Sequence, residues 1–169
     1  MKVFLIGYMG SGKSKVAEAL GKIMDLPVVH TDELVEEAEG KSISEIFKTS
    51  GQEHFRDLEK KALHSLAENN NVVVSTGGGL PCYFDNMEYM NAVGVTVYLE
   101  ANPGLLFHRL SNNKTGRPLI ENLNDVELME QISGQLAVRS PFYKKAQIII
   151  NAASVDVKSL SKLIMNMND

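Results

Sequence analysis

Gly7-Tyr8-Met9-Gly10-Ser11-Gly12-Lys13-Ser14 matches the phosphate-loop pattern: a glycine, four residues, then Gly-Lys-Ser. Such a pattern also arises by chance, so its flanks decide. Upstream, Lys2-Val3-Phe4-Leu5-Ile6 is a short apolar run with β-branched and aromatic members, which predicts a buried strand. Downstream, Val16, Leu20, Ile23 and Met24 recur at helical spacing over residues 13–24. Strand, glycine loop and helix in that order are the context the motif requires. Glycines let successive N–H groups turn inward on a polyphosphate, and the helix N-terminus adds a partial positive charge. On this reading Gly10, Ser11 and Gly12 cradle the phosphates, and Lys13 reaches the β- and γ-phosphates. The Ser14 hydroxyl then ligates Mg²⁺. The alternative is a glycine-rich turn that binds nothing, and the flanking strand and helix argue against it.

Working outward, Leu26-Pro27-Val28-Val29-His30 reads as a second strand, and Thr31-Asp32-Glu33 opens a helix. Asp32 could be only a first-turn acid favoured by the helix dipole. It also follows the carboxyl end of a strand, the edge at which open α/β sheets hold ligands. Ser42-Ile43-Ser44-Glu45 has capping-box spacing and predicts a short helix through Phe47, broken at Gly51. A longer helix is expected over 52–69, with Arg56 three residues before Glu59. As a surface pair these two would mean little.

Val72-Val73-Val74-Ser75-Thr76 predicts a third strand covered on both faces, and Gly77-Gly78-Gly79 leaves room for a ligand to touch backbone. A fourth strand is expected over 93–99, a helix carrying Arg109 over 102–110, and a fifth strand over 146–150. The closing helix is expected over 155–167. Between them, 111–124 is polar and irregular, long enough to suggest a functional loop. Arg117, between Gly116 and Pro118, is the side chain such a lid would deliver. Asn124-Asp125-Val126-Glu127 starts a helix running toward Arg139, where Pro141 intervenes. Strands alternating with helices imply a three-layer α/β/α fold around a five-stranded parallel sheet, one domain over 1–169.

Bulk properties exclude several classes. A net charge of −4 provides no basic field for nucleic acid. The lone Cys82 allows no internal disulfide or cysteine-rich zinc site and suits a reducing compartment. No apolar run approaches membrane-spanning length, and the first strand meets the phosphate loop by Gly7, so a cytoplasmic chain without a leader is expected. His30, His54, His64 and His108 lack metal-ligand spacing. Lysines number thirteen, but arginines only four: Arg56, Arg109, Arg117 and Arg139. Arginine's planar fork grips carboxylate and phosphate in two-pronged fashion, so these four are site candidates; the alternative is four unrelated ion pairs.

The whole pattern resembles the shikimate kinase family, within the P-loop kinases of nucleoside monophosphate kinase-like fold. The resemblance rests on Gly7 to Ser14, Asp32, Phe55-Arg56-Asp57-Leu58-Glu59 and Thr76-Gly77-Gly78-Gly79. Gly116-Arg117-Pro118-Leu119 and Arg139-Ser140-Pro141-Phe142-Tyr143 complete it. It implies an enzyme using ATP and Mg²⁺ to phosphorylate the 3-hydroxyl of shikimate, a step toward aromatic amino acids; a monomer is expected. By the same resemblance, Asp32 would bind the ring hydroxyls and accept the attacking proton, and Arg56 and Arg139 would grip the carboxylate. Gly77, Gly78 and Gly79 would line the acceptor pocket, Arg117 would meet the transferring phosphoryl group, and Arg109 would pack on adenine.

Three departures stand out. The family has an aspartate where this chain has His30, so outer contacts to Mg²⁺ are expected to weaken. Lys15 replaces a second hydroxyl residue near the α-phosphate. Asn151-Ala152-Ala153-Ser154 lacks the usual proline of the adenine-side loop. A gluconate kinase-like enzyme would share the loop but not need Arg56 and Arg139 in these contexts. A GTPase-type switch would need Asp-x-x-Gly and Asn-Lys-x-Asp motifs, and neither is present. A catalytically dead scaffold is disfavoured by the presence of Lys13, Ser14, Asp32 and Arg117.

Overall fold

A computed structural model describes residues 1–114, 117 and 119–167 of the chain. Among the described residues five strands form one sheet: β1 (Lys2–Ile6), β2 (Val28–His30), β3 (Val72–Ser75), β4 (Val95–Glu100) and β5 (Ile148–Asn151). Their order is β2-β3-β1-β4-β5, and every pairing is parallel. All residues of β1 and β3 are buried, so the central strands are covered on both faces, as their uninterrupted apolar runs predict.

Among the described residues seven α-helices connect and flank the strands: α1 (Lys13–Met24), α2 (Thr31–Glu39), α3 (Ile43–Ser65), α4 (Asn86–Val93), α5 (Pro103–Ser111), α6 (Asp125–Tyr143) and α7 (Val157–Asn166). Parallel crossovers are right-handed, so the direction of travel across the sheet selects the face. Only the connection through α1 moves toward β2; those leaving β3 and β4 move the other way. The loop after β1 therefore opens where neighbouring connections part, the crevice in which such sheets bind ligands.

Several boundaries differ from the sequence expectation. The break expected at Gly51 is present: its backbone (φ 78°, ψ 176°) is not helical and kinks α3 (Ile43–Ser65) into two stretches, the second of which stops short of 69. The capping box at its start forms as expected, with Ser42 and Glu45 exchanging bonds. Helix α6 runs through Pro141 to Tyr143. Helix α4 was not anticipated and takes the first residue expected of β4, which begins at Val95. Within 111–124 the described residues turn tightly, with Arg117 N–H on the Lys114 carbonyl and Ile120 N–H on the Arg117 carbonyl. Ile120 is fully buried there. Gly116 and Pro118 lie outside the described residues. Among the described residues no helix is long and apolar enough to cross a membrane.

Candidate active site

The phosphate loop is shaped by backbone that side chains resist: Gly10 has φ 82°, and Gly12, the N-cap of α1, has φ 98°. Lys13 is the first residue of α1 and is only 9% exposed. Its Nζ donates to the carbonyls of Gly7 at 2.9 Å and Tyr8 at 3.0 Å. Burial pulls its pKa from 10.5 down to about 8; the nearby Asp32 carboxylate opposes this, and Arg139 and Arg117 reinforce it. Ser11 Oγ is buried and without a hydrogen-bond partner, a hydroxyl ready for a ligand. Ser14 and Lys15 are exposed on the wall of a cavity of about 800 Å³.

That cavity runs from the phosphate loop past His30 and Asp32 to Arg109, Arg117 and Ala152. A second cavity of about 440 Å³ holds Arg56, Glu59, Gly79 and Arg139. The two share Met9, Asp32, Gly77, Gly78 and Arg117. A large space lined by the phosphate loop thus meets a smaller one holding Arg56 and Arg139, with an acid and an arginine at the junction. Among the described residues no three His, Cys, Asp or Glu side chains gather to hold a metal.

Asp32 sits in the first turn of α2, just past β2, so its backbone faces the sheet's carboxyl edge. Solvent reaches it through the open cavity, yet protein walls the carboxyl closely. Burial accordingly raises its pKa above 3.8, while Lys13 and Arg56 pull it down and Glu36 adds to the rise. The preceding residue, Thr31, is fully buried, and its hydroxyl accepts the Gly77 N–H at 2.9 Å. Thr76 donates both its N–H and its hydroxyl to the Leu5 carbonyl. These bonds fasten the glycine triplet between β1 and α2.

Arg56 is not a surface residue. It is 6% exposed, its Nη1 donates to Glu59 Oε2 at 2.5 Å, and its Cζ lies 4.2 Å from the centre of the Tyr83 ring. Its Nε is buried without a partner. A Cβ on Gly79 would come within 2.7 Å of the Arg56 Cζ, so only glycine leaves room for that guanidinium. Glu59 is 2% exposed, and burial pushes its pKa from 4.5 up to about 7 against the pull of Arg56. The pair that would be trivial on a surface is here an interior one.

Arg139, on α6, lies over the Tyr8 ring at 5.5 Å and near Gly78, 3.6 Å from a Cβ built there. Tyr143, one turn on, donates its hydroxyl to the Gly78 carbonyl at 2.5 Å, and its pKa is driven far up by burial. Arg117 lines both cavities, and its Nη1 is buried without a partner. Burial lowers its pKa.

Arg109 donates Nη1 to the carbonyls of Gly10 (3.2 Å) and Ser11 (3.1 Å) and Nη2 to Ala152 (3.1 Å). It joins the phosphate loop to the segment after β5. In that segment Ala153 N–H reaches Asn151 Oδ1 at 2.9 Å, so a side chain restrains the turn that lacks proline. His30 lies 3.2 Å from Glu18 Oε1 at the cavity wall.

The phosphate loop thus faces a second cavity that holds Arg56 and Arg139, and known proteins share this arrangement of the chain. The family model "Shikimate kinase" matches residues 9–167. The chain belongs to the shikimate kinase family. A curated shikimate kinase of Phocaeicola vulgatus is 46% identical over 157 residues, covering 93% of this chain and 90% of that one. The crystal structure of shikimate kinase from Bacteroides thetaiotaomicron superposes with a TM-score of 0.91 at 40% identity, covering 99% and 98% of the two chains. Shikimate kinase from Acinetobacter baumannii, solved in complex with shikimate, gives a TM-score of 0.84 at 27% identity, covering 99% and 92%.

All four arginines of this family member reach one or both cavities, as do the phosphate loop, Asp32 and the glycine triplet. Sequence reasoning missed Glu59 as an interior acid, Thr31 as the anchor of Gly77, and Tyr8, Tyr83 and Tyr143 as partners of the arginines and glycines. The Arg56–Glu59 spacing was a usable signal; the tyrosine contacts join distant segments and left none.

Proposed function

We propose that the chain transfers the γ-phosphoryl group of ATP to the 3-hydroxyl of shikimate, giving ADP and shikimate 3-phosphate. One observation carries this: Arg56 and Arg139 line a cavity that meets the phosphate-loop cavity at Asp32 and Arg117. A small anionic acceptor gripped by two forks presents its hydroxyls at that junction. Nothing comparable is required for a neutral acceptor.

ATP lies with its phosphates on the N–H groups of Gly10, Ser11, Gly12, Lys13, Ser14 and Lys15. Shikimate lies against Gly77, Gly78 and Gly79, with its carboxylate on Arg56 and Arg139. Asp32 holds the ring hydroxyls and takes the proton of the 3-hydroxyl as that oxygen bonds phosphorus. The bond from the γ-phosphorus to the β–γ bridging oxygen breaks, and ADP leaves with the electron pair. Lys13 and Arg117 neutralise charge on the equatorial oxygens, which is most of what phosphoryl transfer demands. The partnerless Nη1 of Arg117 and Nε of Arg56 support these roles, because a buried donor without an acceptor is costly unless a ligand supplies one.

Mg²⁺ fits this donor set. Magnesium keeps several waters and binds largely through substrate phosphates, so one hydroxyl, Ser14, with Asp32 nearby, suffices on the protein side. Bound there, it would neutralise the β- and γ-oxygens. Residues 111–124 act as the lid that brings Arg117 in and excludes water. Arg109 offers its face to the adenine. A monomer in the cytoplasm is part of the proposal, and the half-buried free Cys82 suits that setting.

A coupled ADP-release assay with ATP, Mg²⁺ and a panel of hydroxylated acids tests the reading. Stimulation by shikimate and not by gluconate is expected. Stimulation by gluconate, or none by shikimate, overturns the proposed acceptor.

A further inference from the structure

Each clamp arginine belongs to a three-residue unit, and the two units are built alike. Arg56 lies with its Cζ 4.2 Å from the centre of the Tyr83 ring, and the Tyr83 hydroxyl accepts from Gln52 Nε2 at 2.9 Å. Arg139 lies with its Cζ 5.5 Å from the centre of the Tyr8 ring, and the Tyr8 hydroxyl donates to Gln135 Oε1 at 2.7 Å. Gln52 and Arg56 share α3, and Gln135 and Arg139 share α6. In both cases the glutamine stands four residues before the arginine, on the same face of its helix. Each tyrosine comes from a loop at the sheet's carboxyl edge: Tyr8 from the phosphate loop, Tyr83 from the segment after the glycine triplet.

We infer that Tyr83 with Gln52, and Tyr8 with Gln135, are positioning residues that fix the two guanidiniums for a planar carboxylate. The inference rests on the reading of Arg56 and Arg139 as the carboxylate clamp. An aromatic face restrains a guanidinium in its own plane without using its N–H edge, so the donors that Glu59 does not take from Arg56, or Tyr143 from Arg139, stay free for the ligand. The glutamine stops the ring from swinging, because both ends of the contact are then anchored to one helix. The Gly51 kink starts a fresh helical stretch at Gln52, which sets that residue and Arg56 on one straight turn. Tyr8 also ties one clamp to the loop that holds the nucleotide. The triads explain why the forks need so few ionic partners: Glu59 holds one nitrogen of Arg56, and a ring holds the plane.

The test is binding of two ligands, measured by titration calorimetry: shikimate and an analogue whose carboxylate is replaced by hydroxymethyl. Tyr83→Leu should weaken shikimate about tenfold and leave the analogue unchanged, the scale of a lost desolvated ring contact. Tyr83→Phe keeps the face and should lose only about two- to threefold. Gln52→Leu, a change at an exposed position, should match Tyr83→Phe, and the double variant should add nothing because both break one bond. In turnover, KM for shikimate should rise in step while kcat and KM for ATP stay within about twofold. Equal weakening of both ligands, or unchanged shikimate affinity in Tyr83→Leu, overturns the inference. If the wild-type chain itself binds the two ligands equally, the carboxylate clamp is wrong and the inference falls with it, a failure visible before any variant is made.

Discussion

Replacing Lys13 by methionine should reveal how much stability the chain forgoes to keep an ammonium in its interior. In the fold this group has a pKa of about 8 against an ordinary 10.5. The folded state therefore binds fewer protons than the unfolded state between those values, and stability rises with pH across that window. Below about pH 8 the chain carries the whole cost of a buried cation, about 3 kcal/mol from the size of the shift. Between about pH 7.5 and about pH 9.5 the wild type should recover about 2 kcal/mol relative to Lys13→Met. Urea unfolding of both chains, without nucleotide, at those two pH values measures the difference directly. Turnover of Lys13→Met should be lost, because the charge bridging the phosphates is gone. A non-hydrolysable ATP analogue should flatten the wild-type rise, since a triphosphate favours the charged amine and restores its pKa. Parallel pH profiles for the two proteins would refute the reasoning, and would mean that Lys13 is fully hydrated in the folded chain.

Asp32→Asn should lower kcat by about 10²- to 10⁴-fold, read in the coupled assay, because the proton acceptor is removed. In the wild type, burial raises the Asp32 pKa, so activity should fall on the acid side at a pH above its ordinary 3.8, with protonation abolishing the base. Arg139→Lys should raise KM for shikimate about tenfold with KM for ATP unchanged, as a point charge replaces a fork. Gly79→Ala should raise the same KM and lower the melting temperature, since its Cβ would crowd Arg56 Cζ at 2.7 Å and overpacking costs about 1–3 kcal/mol. His30→Asp should lower the Mg²⁺ concentration at half-maximal activity severalfold, by adding a carboxylate to the cavity that Ser14 and Asp32 line. Equal half-saturation in both proteins would show that His30 is neutral toward the metal.

The elements that create the site were readable because each carries a local signal. Gly7 to Ser14 could be recognised from spacing, and β1 and β3 from unbroken apolar runs. What escaped was set by distant contacts. Helix α4 begins without a side-chain cap and buries Asn86 together with Met87 and Met90, so its pattern is too short and mixed to read. Gly51 was legible as a break, and its non-helical backbone does part α3 into two stretches; what the sequence did not show is that the second stretch ends at Ser65 and not at 69. Pro141 looked like a stop, yet Tyr143 beyond it is fully buried with its hydroxyl on Gly78, which carries α6 through. Glu59 illustrates the same limit at the site: its spacing from Arg56 is visible in the chain, its interior position is not.

Arg109 spends three of its five N–H donors on the carbonyls of Gly10, Ser11 and Ala152. A guanidinium so engaged can offer a purine its flat side, and a flat side does not distinguish an amino group from a keto oxygen. Adenine and guanine would then look alike to this residue. Arg109 is thus a brace between the phosphate loop and the segment after β5, and on the proposed placement of the base it contributes a surface and not a reading of the purine's edge.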